Sequence, residues 1–467
     1  MDVDFGQEAV NRSMTNLNIP ERLERLPLSP FHRKIMYIAV IGWLLESLDL
    51  SITGTVLVGI TPAFHLNAFY IAMVGTATTY GTVIGLIPSG MLADRIGRKK
   101  VFILGFLMYT IATFVSGLSP NVTVLIILRG IAGFGIGAVF PIPYGVITEF
   151  IPAKARGRYA GYTNALGLQL GYFLAPAIGL LLYPMLPTDI AWRVSLLIAG
   201  ASFLLTPLIY KYLPESPRWL ESHGYKDEAS RLMNQIEVEV KGSLKMMELP
   251  EVSKIPDVSE TKTKLPFKDL AQLKFLIPIL FLAFAWMSNI WPFYIASTYL
   301  PSVLKSSYGF TQIRAFEFVA VIFASSIAGN LITGHLADRF GRKPILLVYY
   351  IIEAISVILI GSAINFDLQL VGGILLGFFG LSVYAALKPW TAEHFPTKAR
   401  QTGSATVETI GRTFAGIILP VFFVYEIYYG VKFLPFAVMA ILLVVSVIIA
   451  VALGKETNKM AIEEIVS

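Results

Sequence analysis

The sequence predicts an all-α membrane protein with twelve transmembrane helices in two pseudo-symmetric six-helix halves. Only 15% of the 467 residues are charged, and the mean hydropathy is +0.66, whereas soluble proteins carry about 25% charged residues. Apolar runs of the roughly 20 residues that a helix needs to cross a bilayer alternate with short polar clusters. A motif that returns after 244 residues, at Asp94 and again at Asp338, predicts the two halves. Helices are expected because an open sheet edge leaves backbone groups unsatisfied in hydrocarbon.

Twelve spans follow one another along the chain. The expected N-terminal half, residues 35–212, contains spans near 35–60, 68–91, 100–118, 121–148, 158–184 and 190–212. The expected C-terminal half, residues 273–454, contains spans near 273–302, 314–336, 344–364, 368–391, 402–426 and 430–453. The remaining segments are expected to be an N-terminal tail, 1–34, a linker with amphipathic helices, 213–272, and a C-terminal tail, 455–467.

Basic residues cluster in every second loop, and this distribution predicts the orientation. The clusters include Arg98, Arg156, Arg342 and Lys398, whereas the intervening loops contain almost no Lys or Arg. The positive-inside rule therefore places the basic loops, the linker and both termini in the cytoplasm of a cell-membrane protein. The net charge of +6 is explained in this way and gives no reason to expect a nucleic-acid partner. The sequence has no cysteine, which excludes disulfides and thiol chemistry.

Two motifs recur at the same spacing, as expected for two homologous halves. The run Gly90-Met-Leu-Ala-Asp94-Arg95-Ile-Gly97-Arg98-Lys99 returns as Gly334-His-Leu-Ala-Asp338-Arg339-Phe-Gly341-Arg342-Lys343. Glu149 likewise returns as Glu393. Two repeats around a central site are a recurrent design of membrane transporters.

These motifs resemble the signature of the major facilitator superfamily. The glycine-rich run from Arg129 to Gly137 is part of the same resemblance. The stretch Pro214–Leu220 resembles the branch of this superfamily that holds sugar porters, aromatic-acid/proton symporters and organic-ion transporters. The resemblance covers nearly the whole chain. It implies the major facilitator fold and a protein that moves a small-molecule substrate across the lipid bilayer, with no cofactor.

The resemblance also implies a cytoplasmic gate built from charged residues. Arg98 could pair with Glu149, and Arg342 with Glu393, so that the pairs close one side of the protein. Tight-turn chemistry at Gly97 and Gly341 is the alternative explanation of the motif. The gating residues predicted in this way are Asp94, Arg98, Glu149, Asp338, Arg342 and Glu393.

Charged residues at membrane depth are costly and indicate function. Asp49 lies about 21 Å and Arg129 about 12 Å from opposite faces, at 1.5 Å per residue, so their depths agree in a core of about 30 Å. The two residues match an Asp and an Arg that face each other in proton-coupled sugar porters. They are predicted to couple transport to protons, and a structural ion pair is the alternative.

Glu46 is the third residue of the predicted proton-coupling group. It lies three positions before Asp49, and therefore on the same helix face. It resembles the first acid of the D-x-x-D pattern of aromatic-acid/proton symporters. A hydrogen bond to a neighbouring helix is the alternative.

Arg412 is the main candidate for substrate binding. It lies about 15 Å deep in the eleventh span, and a guanidinium is a natural fork for a carboxylate. Pairing with Glu408, one turn earlier, is the alternative. The other predicted substrate-binding residues are Gln169, Tyr144, Asn164, Trp286, Asn289, Tyr294 and Lys388. Trp291 and Tyr299 fit lipid-facing or interfacial packing, and Glu353 lies in a span that is usually peripheral in this fold.

The sequence therefore predicts a monomeric, proton-coupled symporter of a small organic anion. The candidate substrates are carboxylates, and aromatic carboxylates are among them. The 244-residue spacing puts Phe293 and Gly373 at the equivalents of Asp49 and Arg129, so proton handling is expected in the N-half and anion attraction in the C-half. A sugar/proton symporter, favoured by Gln169, and a receptor that binds solute without transport are the alternatives. The sequence contains no pattern typical of an enzyme or a metal site.

Overall fold

The computed structural model describes residues 19–152, 155, 159, 161–250, 272–362, 364–395 and 400–457. Twelve helical segments of these residues are long and apolar enough to cross a membrane. We number them α1 to α12. The N-half contains α1 (Pro30–Ala63), α2 (Ala68–Ile96), α3 (Arg98–Ser116), α4 (Val122–Val139), α5 (Gly161–Leu182) and α6 (Thr188–Tyr212). The C-half contains α7 (Phe275–Tyr308), α8 (Gln312–Phe340), α9 (Arg342–Ser362), α10 (Phe366–Glu393), α11 (Thr402–Tyr428) and α12 (Leu434–Leu453).

The predicted fold class is confirmed, and the spans differ from the prediction mainly at their ends. The first helix begins at Pro30 rather than near residue 35, and the seventh continues to Tyr308 rather than ending near residue 302. Helix α4 ends at Val139, and a separate helix, Ile142–Phe150, follows it after Pro141. The sequence predicted one span over 121–148, and proline explains the break because it cannot donate a backbone hydrogen bond.

Part of the predicted linker folds into helices at the basic end of the bundle, which we define as the end with the turns at Gly97 and Gly341. The linker contributes Pro217–Ser222 and Lys226–Leu244. A short tail helix, Ile19–Glu24, docks on the second of these through Arg22 and Glu237, whose side chains are 2.9 Å apart. Residues 251–271 of the predicted linker lie outside the described part of the chain.

Glycines bring the helices of the N-half close together. A Cβ at Gly137 of α4 would lie 2.5 Å from the carbonyl oxygen of Thr82 in α2, so a larger residue could not be accommodated there. The turns that precede α3 and α9 depend on Gly97 and Gly341, whose φ angles of 101° and 98° favour glycine. The equal geometry of these two turns follows the sequence repeat.

The two halves meet through side chains of α2, α5, α7 and α8. Tyr299 of α7 donates a hydrogen bond to the carbonyl oxygen of Ala72 in α2, at 3.3 Å. The rings of Tyr183 in α5 and Phe316 in α8 lie 5.1 Å apart. The expectation that Trp291 and Tyr299 face lipid or its interface is wrong, because both side chains are buried. Tyr299 packs on the other half, and Trp291 packs on Phe422 of α11.

Four π-helical turns interrupt the described spans. They lie at Asn164–Gln169 in α5, Ile295–Tyr299 in α7, Leu376–Gly380 in α10 and Phe414–Ile418 in α11. Such turns are frequent at functional sites because they distort the helix locally. All four lie in helices that carry predicted substrate-binding residues.

Candidate functional site

Asp49 of α1 and Arg129 of α4 form a buried ion pair, as their sequence depths predict. Arg129 Nη1 lies 2.7 Å from Asp49 Oδ1, and both side chains are at most 2% exposed. The hydroxyl of Thr113 in α3 donates to Asp49 and accepts a hydrogen bond from Arg129 Nη1 at 2.9 Å. Arg129 also donates to the hydroxyls of Thr78 and Thr53, at 3.1 and 3.2 Å. Almost every polar atom of this site is therefore compensated inside the N-half.

Glu46 lies one turn before Asp49 and has a different environment. Its side chain is completely buried, and neither of its carboxyl oxygens has a hydrogen-bond partner among the described residues. The charged groups that face it are Arg412 of the C-half and Asp49. Tyr109 of α3 faces both acids, and its hydroxyl is also without a described partner. Glu46 is therefore an acid of the N-half that faces a cation of the C-half.

Arg412 of α11 lies where the two halves approach each other. Its guanidinium carbon is 4.9 Å from the ring centre of Phe140, in the N-half, and 6.0 Å from that of Trp286, in the C-half. Its Nε and Nη2 atoms donate to the same oxygen of Glu408, at 3.0 and 2.8 Å. The pairing with Glu408 that the four-residue spacing allows is therefore present, because the two residues lie on the same helix face. About a quarter of the Arg412 side chain (24%) remains exposed.

Lys388 of α10 extends this charged group. Its Nζ donates to the hydroxyl of Tyr384 at 2.8 Å, and its charge faces Glu408. The hydroxyls of Tyr294 and Tyr384 face Arg412. A cluster of two cations and one carboxylate, bordered by aromatic rings, therefore lies opposite the acids of the N-half.

The other predicted substrate-binding residues have varied positions. Asn164 has a buried amide oxygen with no described partner. Gln169 of α5 accepts a hydrogen bond from Ser326 of α8, at 2.9 Å, and so joins the two halves. Trp286 donates its indole N–H to Thr391 at 2.8 Å, while its ring lies near Arg412. The side chain of Tyr144 lies outside the described part of the structure.

The amide of Asn289, which the sequence predicts to bind the substrate, makes its hydrogen bonds inside the C-half. Its amide nitrogen donates to Glu353 of α9 and to the carbonyl oxygen of Gly380 in α10, both at 2.9 Å. These bonds hold the amide inside the C-half. Hydropathy does not reveal which face of α9 points inward, so this contact cannot be predicted from the sequence.

The predicted gate residues form their pairs, but within each half. Arg98 lies 2.7 Å from Glu149, and Arg342 forms an ion pair with Glu393. Each pair joins helices of the same half, so neither closes the protein by linking one half to the other. Asp338 is exposed and its charge faces Arg342. The side chain of Asp94 is not among those described.

Two further acids, Glu215 and Glu456, support these pairs and are not among the gate residues that the sequence predicts. Glu215 accepts hydrogen bonds from the backbone N–H groups that begin α3, at 3.1 and 3.2 Å, and Glu456 does the same at the start of α9, at 3.1 and 3.0 Å. A carboxylate is favourable at a helix N-terminus. Ser216 then donates to Glu149, and Thr457 to Glu393. The spacing from Glu215 to Glu456 is 241 residues rather than 244, which hides this repeat.

The described residues contain no group of three His, Cys, Asp or Glu side chains that could hold a metal ion. The charged groups at membrane depth are instead the cations Arg412 and Lys388 beside Glu408, the ion pair of Asp49 and Arg129, and the buried carboxyl groups of Glu46 and Glu353.

Comparisons with known proteins identify the family and support the fold. A family model described as "Sugar (and other) transporter" matches residues 37–467. A niacin transporter of Acinetobacter baylyi is 28% identical over 96% of this chain and 100% of its own length. A putative niacin/nicotinamide transporter of Bacillus subtilis is 27% identical over 92% of this chain and 98% of its own length. The inward-open structure of the xylose transporter from E. coli has the same fold, with a TM-score of 0.72 and 18% identity, and the match covers 93% of this chain and 99% of that one.

Proposed function

Because the chain belongs to the sugar (and other) transporter family of the major facilitator superfamily and is a transporter rather than an enzyme, we propose that it is a proton-coupled symporter of a small organic anion. It acts as a monomer in the cell membrane, with both termini in the cytoplasm, and moves its substrate by alternating access. The substrate class that we favour is an aromatic carboxylate.

The environment of Arg412 carries the proposal. A cation at membrane depth is costly unless it has a functional partner. Glu408 satisfies only one edge of the guanidinium, because Nε and Nη2 share a single carboxylate oxygen. The Nη1 atom has no hydrogen-bond partner among the described residues and is free to bind a second carboxylate. The charge of Lys388, which faces Glu408, adds to the attraction of an anion.

The rings near Arg412 favour a planar substrate. Phe140 approaches the guanidinium from one half and Trp286 from the other, and Tyr294 and Tyr384 also face it. Ligand sites commonly combine such aromatic walls with a few polar groups that fix orientation. The names of two relatives support the same class, since niacin is a pyridine carboxylate.

The N-half supplies the groups for proton coupling. If α1 and α4 separate, the carboxylate of Asp49 loses the charge of Arg129. A buried carboxylate without a cation is costly, so it takes up a proton from water in place of the ion pair. Thr113 joins both partners, so a movement of α3 would disturb both at once. Glu46 faces Arg412 across the interface, and a bound substrate anion would change the charge that it experiences. Proton binding at the acids is thereby linked to anion binding at Arg412.

A sugar/proton symporter is the second candidate. Gln169 and the family name favour it, although the amide oxygen of Gln169 is already bonded to Ser326. The test uses purified protein in liposomes that contain a pH dye. Nicotinate, an aliphatic acid and arabinose are added outside in turn, and empty liposomes measure the leak of permeant acids.

We expect nicotinate to acidify the interior and Arg412→Ala to raise its KM roughly 10- to 100-fold, because hydrogen bonds to charged groups contribute about 1.5–3 kcal/mol. Arg412→Lys keeps the positive charge but loses the forked pair of donors, so its KM should lie between that of the wild type and that of Arg412→Ala. Arg314→Ala, at the start of α8, is the control. Acidification by arabinose that persists in Arg412→Ala would favour the sugar symporter. Binding of nicotinate without any flux would favour the receptor.

A further inference from the structure

Glu353 is a buried acid of the C-half for which the transport scheme above has no role. Its side chain is completely buried in α9. Its Oε2 atom accepts a hydrogen bond from Asn289 of α7 at 2.9 Å, and its Oε1 atom has no partner among the described residues. The carboxyl group also lies against α10, since a Cβ on Gly380 would be 2.9 and 3.0 Å from Glu353 Cγ and Cδ.

The repeat relates this acid to the proton site of the N-half. The residue 244 positions before Glu353 is Tyr109, which faces Asp49 and Glu46. Glu353 therefore occupies, between α7, α9 and α10, the place that corresponds to the junction of α1, α3 and α4. The equivalent of Arg129 at this junction is Gly373, so the acid of the C-half lacks the cation that accompanies Asp49.

The groups around Glu353 are neutral. Helices α8, α10 and α12 pack against α9, and α7 contacts it through the hydrogen bonds of Asn289 and Ala285. Within the described ranges, none of their charged side chains forms an ion pair with Glu353 or faces it. The titratable group that faces it is Tyr350 of α9 itself, whose hydroxyl donates to the carbonyl oxygen of Ala285 in α7, at 2.9 Å. A buried carboxylate without a cation is costly, so this environment favours the neutral acid with a proton on Oε1.

We propose that Glu353 is a second proton-binding site, located in the C-half and separate from Asp49. The proton comes from water, binds Oε1, and returns to water when the surroundings of the carboxyl group change. This inference rests on the proposed proton-coupled transport, to which it adds a second carrier group.

The contacts of α7 and α10 link this site to the movement of the halves. Asn289 precedes the π-helical turn Ile295–Tyr299, where Tyr299 bonds the backbone of α2 in the other half. Gly380 ends the π-helical turn of α10. When the halves separate at Tyr299, the displacement of α7 moves the amide of Asn289 away from Oε2. The carboxyl group then becomes accessible to water and exchanges its proton.

The first test detects the proton directly in the full-length protein. The infrared spectrum of the purified transporter in H₂O and D₂O identifies the C=O band of neutral carboxylic acids. We expect Glu353→Gln to remove one component of this band and Glu317→Gln, on the exposed side of α8, to leave it unchanged. An unaltered band in Glu353→Gln would overturn the proposal, because the group would then be ionised. This test does not require any transport.

The second test asks whether the proton moves during transport. The ratio of protons to substrate is measured in liposomes, and Glu353→Gln should lower it by one proton while substrate exchange continues. Glu353→Asp keeps an acid and should restore part of the ratio. A neutral band together with an unchanged ratio would overturn the proposal, since Glu353 would then be a permanently protonated structural group. A wild-type protein that moves substrate without protons would refute the proposed function, while the infrared result would still show whether Glu353 binds a proton.

Discussion

The two halves hold buried acids at corresponding places and compensate for them in opposite ways. Asp49 has a full charge opposite it, with Arg129 at 2.7 Å and the hydroxyl of Thr113 between them. Glu353 has one neutral donor, the amide of Asn289 at 2.9 Å. Burial of a charge is tolerated in the first case because the pair is complete, and in the second case neutrality avoids the cost. Equivalent helix junctions of the two halves thus hold an ion pair in one half and a neutral acid in the other.

At the basic end of the molecule, by contrast, the two halves use the same kinds of contact. There the two halves repeat each other closely, with Arg98 and Glu149 in one and Arg342 and Glu393 in the other. Glu215 and Glu456 bind equivalent helix starts. The halves therefore remain alike where each must hold its own helices together, and they differ where buried chemistry takes place. This contrast indicates that the centre, rather than the basic end, distinguishes the roles of the halves.

The largest expected effect is the difference in stability loss between substitutions of Asp49 and of Glu353. Asp49→Asn leaves Arg129 buried without its charge partner, which typically costs about 3–5 kcal/mol. Glu353→Gln retains a neutral hydrogen-bonding side chain and should cost under about 1 kcal/mol. Thermal and denaturant unfolding in detergent compare the variants. The double variant Asp49→Asn with Arg129→Gln should recover most of the stability but not proton-driven uptake. Equal losses for Asp49→Asn and Glu353→Gln would remove the distinction between the two sites.

A second prediction tests the contact of Glu353 with α10. Gly380→Ala places a methyl group within 3.0 Å of the carboxyl carbon, and such overpacking typically costs about 1–3 kcal/mol. The matched control is Gly334→Ala in α8, because no described atom outside the local helix backbone lies within 4 Å of the added methyl group there. Adding Glu353→Ala should reduce the penalty of Gly380→Ala by giving the methyl group room. If the two substitutions are simply additive in unfolding experiments, Gly380 does not support the acid.

The sequence predicts the parts of this molecule that depend on periodicity and depth. Hydropathy locates the twelve spans, the spacing of 244 residues reveals the halves, and equal depths bring Asp49 and Arg129 together. The sequence does not reveal how each helix is rotated about its axis. For that reason the sequence places Glu353 in a span that is usually peripheral and does not reveal its hydrogen bond with Asn289.

Local spacing also leaves some alternatives undecided. The separation of four residues allowed Arg412 to bind either Glu408 or a substrate, and the structure contains the pair while leaving Nη1 without a described partner. The match between Glu215 and Glu456 was hidden because their spacing departs from the repeat by three residues. Glu215 and Glu456 lie in the segments that follow the sixth and twelfth spans. Because the spacing of 244 residues no longer holds there, a search at that fixed spacing does not find the match.

A third prediction concerns the anion site of the C-half. Glu408 competes with a substrate carboxylate for Arg412, and Glu408→Gln removes that competitor. A partly exposed ion pair contributes up to about 1 kcal/mol, so the KM for nicotinate should fall by a factor of about five. The control is Glu426→Gln, near the other end of α11. An increase of KM in Glu408→Gln would show that the acid positions the guanidinium rather than competing for it.

The smallest expected effect lies at the basic end, where the tail helix docks on the linker helix Lys226–Leu244. Burial alone would raise the pKa of Glu237, but the hydrogen bonds and charges of Arg22 and Arg25 outweigh it and hold the pKa below its ordinary value. A lowered carboxyl pKa stabilises the docked form above the ordinary value of about 4.3, and this stabilisation is lost as the pH falls through the lowered pKa.

Hydrogen exchange of residues 226–244, corrected for intrinsic rates, should therefore accelerate in acid. Glu237→Gln should show fast exchange already at neutral pH and little further change below it. Glu239→Gln is the matched control, since Glu239 pairs with Lys34 at 3.5 Å and the two side chains are 45% and 40% exposed. The first N–H groups of α9 donate to Glu456 and not to this linker. Hydrogen exchange at the start of α9 should therefore not change with the protonation of Glu237. A parallel change at both places would mean that the basic ends of the two halves open together.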